Sequence, residues 1–323
     1  MDVQPEPLRI ATRGSPLARW QSDHVATLLR RSISDLSVEV VVIETEGDLD
    51  RTRPIAELAG RGVFAKEVQA AVLDGRADVA VHSAKDLMST PTDGLVIASV
   101  LERGSATDAL VGQNLNQLAE GAVIATGSVR RQAQLATLRP DLRFVGLRGN
   151  IDTRLARIGT DSGLGDGSLV AAVVSATAAL ERLGIADRIA QSLAPEQMLP
   201  QVAQGAVAVE CRADDNDTIA ALASINDLAT ARCVAAERAY LAELGGGCDL
   251  PVGGYAVLID PACPEGDLLM TALLSSRDGV SSLRANGAGR IPSALGRGLA
   301  LELLDAGGRE LLDLDQGPDQ PSS

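Results

Sequence analysis

The chain has 323 residues, longer than one typical core, and its length predicts two or three domains. It is 46% hydrophobic but only 2% aromatic, so the core must be built from Ala, Val, Leu and Ile, which suits helices packed on a parallel sheet. A formal charge of −14 excludes a general affinity for nucleic acid or anionic membranes, since both need a positive field, and any anionic ligand needs a local arginine cluster.

The opening Met1-Asp2-Val3-Gln4-Pro5-Glu6-Pro7 has neither the basic region nor the apolar run of a signal peptide. The longest nearly apolar run, Leu169 to Leu180, is too short for a bilayer that needs ~20 residues. Cysteines 211, 233, 248 and 263 form no close pair and, with only His24 and His82 for company, give no zinc spacing. The expectation is a cytoplasmic protein in a reducing compartment, with no metal and no membrane contact.

In chain order, Leu8 to Thr12 reads as a strand, followed by an N-capping Ser15-Pro16 and a helix to about Arg31. Val38 to Thr45 is the next strand. The polar stretch 46–62, with its Gly60-Arg61-Gly62 turn, reads as a mobile loop before a helix over 63–74, and the strand 78–82 closes a first unit. A second alternation then follows: strand 122–125, helix 128–138, strand 143–147, helix 150–158, strand 169–174 and helix 176–183. The run 206–210 is another strand, 227–244 a long helix, 252–288 antiparallel strands, and 293–305 a helix. Residues 317–323 read as a disordered tail.

The polar residues fall where these strands end. Strand 8–12 ends in Arg13 and Ser15, strand 78–82 in Ser83, Lys85 and Asp86, strand 122–125 in Thr126, Ser128, Arg130 and Arg131, and strand 143–147 in Arg148. Ligands of open α/β sheets bind outside the carboxyl ends of strands, so four strands bring these groups to one edge. Helix amino termini at 128 and 150 add N–H donors, and together with arginine forks they suit a polyanion. Lys85 is one of only two lysines, beside Lys66, against 27 arginines, and it is adjacent to a carboxylate. Simpler readings exist: an arginine pair opening a helix is usually a solvated face, Lys85-Asp86 could be a surface ion pair, and His82 a satisfied buried histidine. His24, on an ordinary helix, has no chemical role. Cys211 and Cys233 read as small core residues and Cys263 as a loop residue, whereas Gly245-Gly246-Gly247 leaves Cys248 unshielded.

These residues carry a resemblance. Arg9-Ile10-Ala11-Thr12-Arg13-Gly14-Ser15-Pro16-Leu17-Ala18, Val81-His82-Ser83-Ala84-Lys85-Asp86, Ser128-Val129-Arg130-Arg131-Gln132, Leu147-Arg148-Gly149-Asn150, Gln204-Gly205-Ala206 and Gly246-Gly247-Cys248 stand in the order found in porphobilinogen deaminases. The chain resembles that family over nearly its full length.

The resemblance implies an α/β fold of two periplasmic-binding-protein-like lobes with mixed, mainly parallel sheets, plus a smaller α+β C-terminal domain. Domain 1 would be 1–101 with 206–223, domain 2 107–199, and domain 3 228–323. It implies a dipyrromethane cofactor held by a thioether to Cys248, onto which four porphobilinogen units are joined head to tail with loss of ammonia before hydroxymethylbilane is hydrolysed off. By motif match Asp86 stabilises pyrrole-centred positive charge. Lys85, Ser83, Thr126, Ser128, Arg130, Arg131 and Arg148 hold the cofactor, Arg13, Ser15, Arg154 and Arg182 take substrate carboxylates, and the mobile loop carries Arg61 and Phe64. A monomer working on a small-molecule substrate, without nucleic acid, is implied.

Four positions depart from the commonest family pattern: Arg61 for a lysine, Met88 for a proline, Ala203 for a glycine and Gly245 for an acidic residue. Two other readings compete. A bilobal solute-binding protein would share fold and arginines without catalysis, but Cys248 after glycines and the opening residues argue against it. A cysteine-dependent hydrolase lacks a histidine in a recognisable nucleophile pattern.

Overall fold

A run of alternating apolar residues starts the chain's first strand, β1 (Leu8–Arg13), with Ile10 packed on one face of the sheet and Ala11 on the other. The computed structural model describes residues 6–44, 65–246 and 250–315. After β1 come α1 (Pro16–Ser32), β2 (Val38–Ile43), α2 (Lys66–Leu73), β3 (Val79–Ser83) and β4 (Leu95–Val100). Then follow β5 (Asp108–Gly112), β6 (Val123–Ala125), α3 (Val129–Leu138), β7 (Arg143–Val145), α4 (Ile151–Leu155), β8 (Val170–Ala176), α5 (Thr177–Arg182) and β9 (Ile189–Leu193). The chain continues through β10 (Val207–Arg212), α6 (Asn216–Ala223), α7 (Leu228–Glu243), β11 (Val252–Leu258), β12 (Leu268–Ser275), β13 (Ser282–Gly289) and α8 (Pro292–Leu303).

Two compact units result. The first joins the described residues up to Gly104 with Gly205–Ala231; the second joins Ser105–Gln204 with the described residues from Arg232 on. In the first unit the sheet order is β2-β1-β3-β10-β4, with β10 antiparallel to both neighbours and the other strands parallel to one another. In the second unit the order β7-β6-β8-β5-β9 repeats the same plan, with β5 as the opposed strand. These are the mixed, mainly parallel sheets expected. The expected single edge fed by four strands is corrected: β1 and β3 belong to one sheet, β6 and β7 to the other, because the chain leaves the first sheet before that sheet is complete.

Each sheet is covered on both faces. Val25, Leu29, Val79, Val81, Val207 and Leu222 form one core of the first sheet, and Val68, Val72, Ala80 and Leu95 the other. Leu110, Ile124, Leu135 and Val174 pack one face of the second sheet, Val111, Leu155, Val173 and Leu180 its other face. At about 1.5–3 kcal/mol per fully buried aliphatic side chain, such layers outweigh the scarcity of aromatics.

The third sheet is the antiparallel meander β11-β12-β13, with α7 and α8 against it. Within the second unit it is tied to the lobe around β5–β9: Gly254 N donates to the Pro200 carbonyl at 3.0 Å, and Thr137 Oγ1 on α3 to the Gly279 carbonyl at 2.7 Å. This is the smaller C-terminal portion expected. β4, β5, β9 and α6 were not expected as elements, and several expected boundaries move, the strand expected over 38–45 ending at Ile43 among them. The strand predicted to run to 147 stops at Val145, and the helix expected from 150 to 158 is regular only over Ile151–Leu155.

Candidate active site

In the first unit the candidate site residues stand at the carboxyl ends of β1 and β3. Arg9, at the opposite end of β1, is bound into the frame: its Nη2 is 2.7 Å from Asp78 Oδ1 and its backbone N donates to Asp78 Oδ2 at 2.7 Å. Arg13 ends β1, half-buried, and Ser15 caps α1, its Oγ accepting from Ala18 N at 3.3 Å. Pro16 at the first helical position needs no donor there, so the sequence Ser15-Pro16 starts the helix sharply.

β3 alternates in the same way. Val79, Val81 and Ser83 point to the α1 side, where the buried Gln21 donates through Nε2 to Ser83 Oγ at 2.8 Å. His82 points to the other face, with Nε2 3.1 Å from Glu210 Oε2, an oxygen that accepts from Gln69 Nε2 at 2.8 Å. His82 is therefore buried as in the simpler reading, beside a carboxylate, but its Nε2 makes no hydrogen bond among the described residues. Immediately after β3, Ala84–Asp86 forms a single 3-10 turn, with the Ala84 N–H bound to the Ala206 carbonyl of β10's approach at 3.1 Å. The turn holds Lys85 and Asp86 next to Ser83, both half-buried. His24 stacks on Trp20 with ring centroids 5.0 Å apart, along α1.

In the second unit the corresponding ends are those of β6 and β7. Thr126 N donates to the Val145 carbonyl at 2.9 Å, and a Cβ on Gly127 would lie 2.6 Å from the Leu147 carbonyl, so only glycine lets the two chain ends pass this closely. Thr126 is buried and its Oγ1 accepts from Ser128 N at 3.2 Å. Ser128 caps α3, its Oγ accepting from Arg131 N at 3.4 Å. Asn150 caps α4 through Thr153 N at 2.9 Å, and Arg154 Nε donates to the Gly149 carbonyl at 2.8 Å. Arg148, three residues past β7, and Arg182, at the end of α5, are half-buried, and burial lowers the pKa of Arg182.

Arg130 and Arg131 are not a solvated helix face. They are 2% and 7% exposed and share one carboxylate, that of the fully buried Asp108. Burial disfavours the ionised form of Asp108, but Arg130, Arg131 and Gln204 outweigh it and hold its carboxyl well below the usual carboxylate range. Arg130 Nη2 is paired with Asp108, whereas its Nε is a buried donor that no acceptor among the described residues satisfies. Arg130 also lines, with Ser128, Gln201, Leu241, Leu250 and Val252, a small pocket within this unit. An unsatisfied guanidinium donor beside a serine hydroxyl suits a carboxylate, and Leu250 is two residues past Cys248. The residues present thus fit a pyrrole cofactor that carries carboxylates.

Cys248, Arg61 and Phe64 lie outside the described residues. Of the other cysteines, Cys211 and Cys233 are buried and Cys263 is exposed, and burial pushes the Cys211 thiol up to about 11, away from nucleophilic duty. Motif reading passed over Gln21 and Asp108, and it gave Gln204 no role. Gln21 looks like any polar helix residue, while Asp108 had one signal, a carboxylate opening the apolar run 109–111.

Residues 8–220 match the family model described as "Porphobilinogen deaminase, dipyromethane cofactor binding domain", and residues 231–305 match "Porphobilinogen deaminase, C-terminal domain". The chain belongs to the porphobilinogen deaminase family. Its activity is that of the family, a transferase of tetrapyrrole biosynthesis that makes hydroxymethylbilane from porphobilinogen, and its cofactor is dipyrromethane. Similar solved structures include a nutrient binding protein from Burkholderia cenocepacia bound to methionine (16% identity, 67% of this chain and 89% of that one, TM-score 0.40). They also include the BvgS periplasmic VFT2 domain of Bordetella pertussis (17%, 68% and 86%, 0.38) and YhfZ from Shigella flexneri (16%, 76% and 100%, 0.36). Among the described residues no single helix is long and apolar enough to cross a membrane, and no cluster of His, Cys, Asp or Glu has metal-ligand geometry.

Proposed function

We propose that the deaminase reaction is carried by Asp86, with the dipyrromethane joined by a thioether to Cys248. Ser83, Lys85, Thr126, Ser128, Arg130, Arg131 and Arg148 would hold the cofactor, and Arg13, Ser15, Arg154 and Arg182 the carboxylates of porphobilinogen. The observation that carries this reading is the turn 84–86: a lysine and an aspartate follow the last residue of β3 directly, half-buried, with Ser83 pinned by Gln21. When bound, the dipyrromethane supplies the pyrrole to which porphobilinogen units are added.

The chain's own groups divide the remaining work. Arginine forks bind carboxylates bidentately, each hydrogen bond to a charged group contributing ~1.5–3 kcal/mol, so a few of them overcome the repulsion of an acidic protein screened by salt. As porphobilinogen loses ammonia, the C–N bond electrons leave with the amine and positive charge spreads over the pyrrole and its nitrogen. A fixed carboxylate at Asp86 stabilises that charge more than it stabilises the neutral substrate, which is the differential interaction that lowers a barrier. Lys85, beside it, would neutralise a ligand carboxylate. The same reading divides the chain into domains 1–101 with 206–223, 107–199 and 228–323, and describes a cytoplasmic monomer. No disulfide joins the described cysteines, which supports a reducing compartment.

Asp86→Asn tests it, because the substitution keeps size and hydrogen bonding but removes the charge. Turnover is expected to fall ~100- to 1000-fold with binding less affected, and Asp86→Glu to retain more activity. Release of hydroxymethylbilane by Asp86→Asn at the wild-type rate would refute the assignment.

A further inference from the structure

At the head of β5 one carboxylate serves two guanidinium groups. Arg131 Nε donates to Asp108 Oδ1 at 2.9 Å, its Nη2 is 2.7 Å from the same oxygen, and its Nη1 donates to the Val174 carbonyl at 3.1 Å. Arg130 is held differently. Its Nη1 donates to the Leu199 carbonyl at 2.6 Å, its Nη2 stands 2.8 Å from Asp108 Oδ2, and its Nε has no acceptor among the described residues.

Gln204 orients the carboxylate. Its Nε2 lies 3.0 Å from Asp108 Oδ1, 2.7 Å from the Ala106 carbonyl and 3.2 Å from that of Thr107, so one amide joins the residues before β5 to the carboxylate that opens it. Asp108 and Gln204 are 0% exposed. The cluster therefore holds two cations and one anion away from water. A buried charge is tolerated only when it is paired, so the carboxylate offsets one guanidinium and leaves one positive charge over. The surplus falls on Arg130, the member whose Nε is unsatisfied and the one that lines the pocket beside Ser128 and Leu250.

We infer that Asp108 is a positioning residue: it locks Arg131 in place, steers Arg130, and delivers a single net positive charge with an open donor to that pocket, which makes the pocket selective for one carboxylate of the bound pyrrole. Gln204 fixes the orientation of the Asp108 carboxylate. The inference rests on the proposal that Arg130 holds the cofactor. It differs from a purely structural role in one measurable way: a structural partner sets whether the chain folds, whereas a positioning residue sets how fast a folded chain takes up its cofactor.

The test compares wild type, Asp108→Glu, Asp108→Asn and Gln204→Leu as full chains. Apo-protein is incubated with porphobilinogen, the dipyrromethane adduct is followed by intact mass, and folding is followed by circular dichroism. Asp108→Glu keeps the charge but displaces it by one methylene, and a misplacement of about 1 Å costs up to ~100-fold in a positioned site, so loading per folded molecule should slow roughly tenfold or more. Gln204→Leu keeps all three charges and should slow loading per folded molecule by a smaller factor, with a lower melting temperature from the buried hydrogen bonds it removes. Asp108→Asn should load slowest; if it does not fold, the other two variants decide. Wild-type loading rates in folded Asp108→Glu and Gln204→Leu would overturn the inference alone. A wild-type chain that takes up no adduct would overturn it together with the proposal beneath it.

Discussion

The Gln21 amide donates to Ser83 Oγ at 2.8 Å, joining the second turn of α1 to the last residue of β3. Gln21 is 2% exposed, so the bond is shielded from water and fixes the Ser83 side chain directly ahead of Lys85 and Asp86. Gln21→Leu removes the donor at similar size and should cost ~1 kcal/mol, while Ser83→Ala in the same background should add less than it does alone. A double-mutant cycle in urea checks this; strict additivity would mean the contact contributes nothing.

Ala203 has a left-handed backbone, φ 60°, the region that favours glycine. Its N–H is bound by Glu237 Oε2 at 2.6 Å, which holds the turn in that conformation. A left-handed non-glycine residue costs ~1–2 kcal/mol, and glycine gives back ~0.5–1 kcal/mol in lost chain entropy. Ala203→Gly should therefore stabilise the fold by up to ~1 kcal/mol in equilibrium denaturation. A clear loss of stability would show that the buried methyl matters more than the strain. Gly245 shows the opposite case: at φ 67° just past α7, glycine suits the helix end.

Asp108 gives a pH dependence with a definite sign. Burial opposes its ionisation, but Arg130, Arg131 and Gln204 hold its folded pKa below the unfolded value of ~3.9. Below ~pH 4 the unfolded chain binds the proton that the folded chain refuses, so the contribution of this group is complete above that pH and is lost as the pH falls toward the folded pKa. The stability difference between wild type and folded Asp108→Asn should thus be flat from about pH 5 to 8 and shrink in more acid solution. A difference that grows on acidification would reverse the sign and contradict the pairing.

What the sequence discloses is what local chemistry controls. Ser15 was legible as a helix cap because a cap needs only its own next three residues, and the Val-Ala alternation of β3 with its polar end was legible for the same reason. The direction of β5 and β10 was not, since a strand's orientation depends on which crossover delivers it. β9, with exposed Ala190 and Ser192, lacks the apolar density of a buried strand and is defined by its pairing to β5. The burial of Arg130 and Arg131 was likewise hidden, because their carboxylate lies more than twenty residues earlier and their helix pattern alone reads as solvated.

The measurement that bears most directly on the whole reading is the intact mass of the purified chain, alone and with each cysteine replaced in turn. Wild type should weigh more than its sequence by one dipyrromethane. Cys211→Ala, Cys233→Ala and Cys263→Ala should keep that increment, whereas Cys248→Ala and Cys248→Ser should lose it along with activity. An active wild-type chain of unmodified mass, or a Cys248→Ala chain that still carries the adduct, would contradict the assignment of cofactor and site.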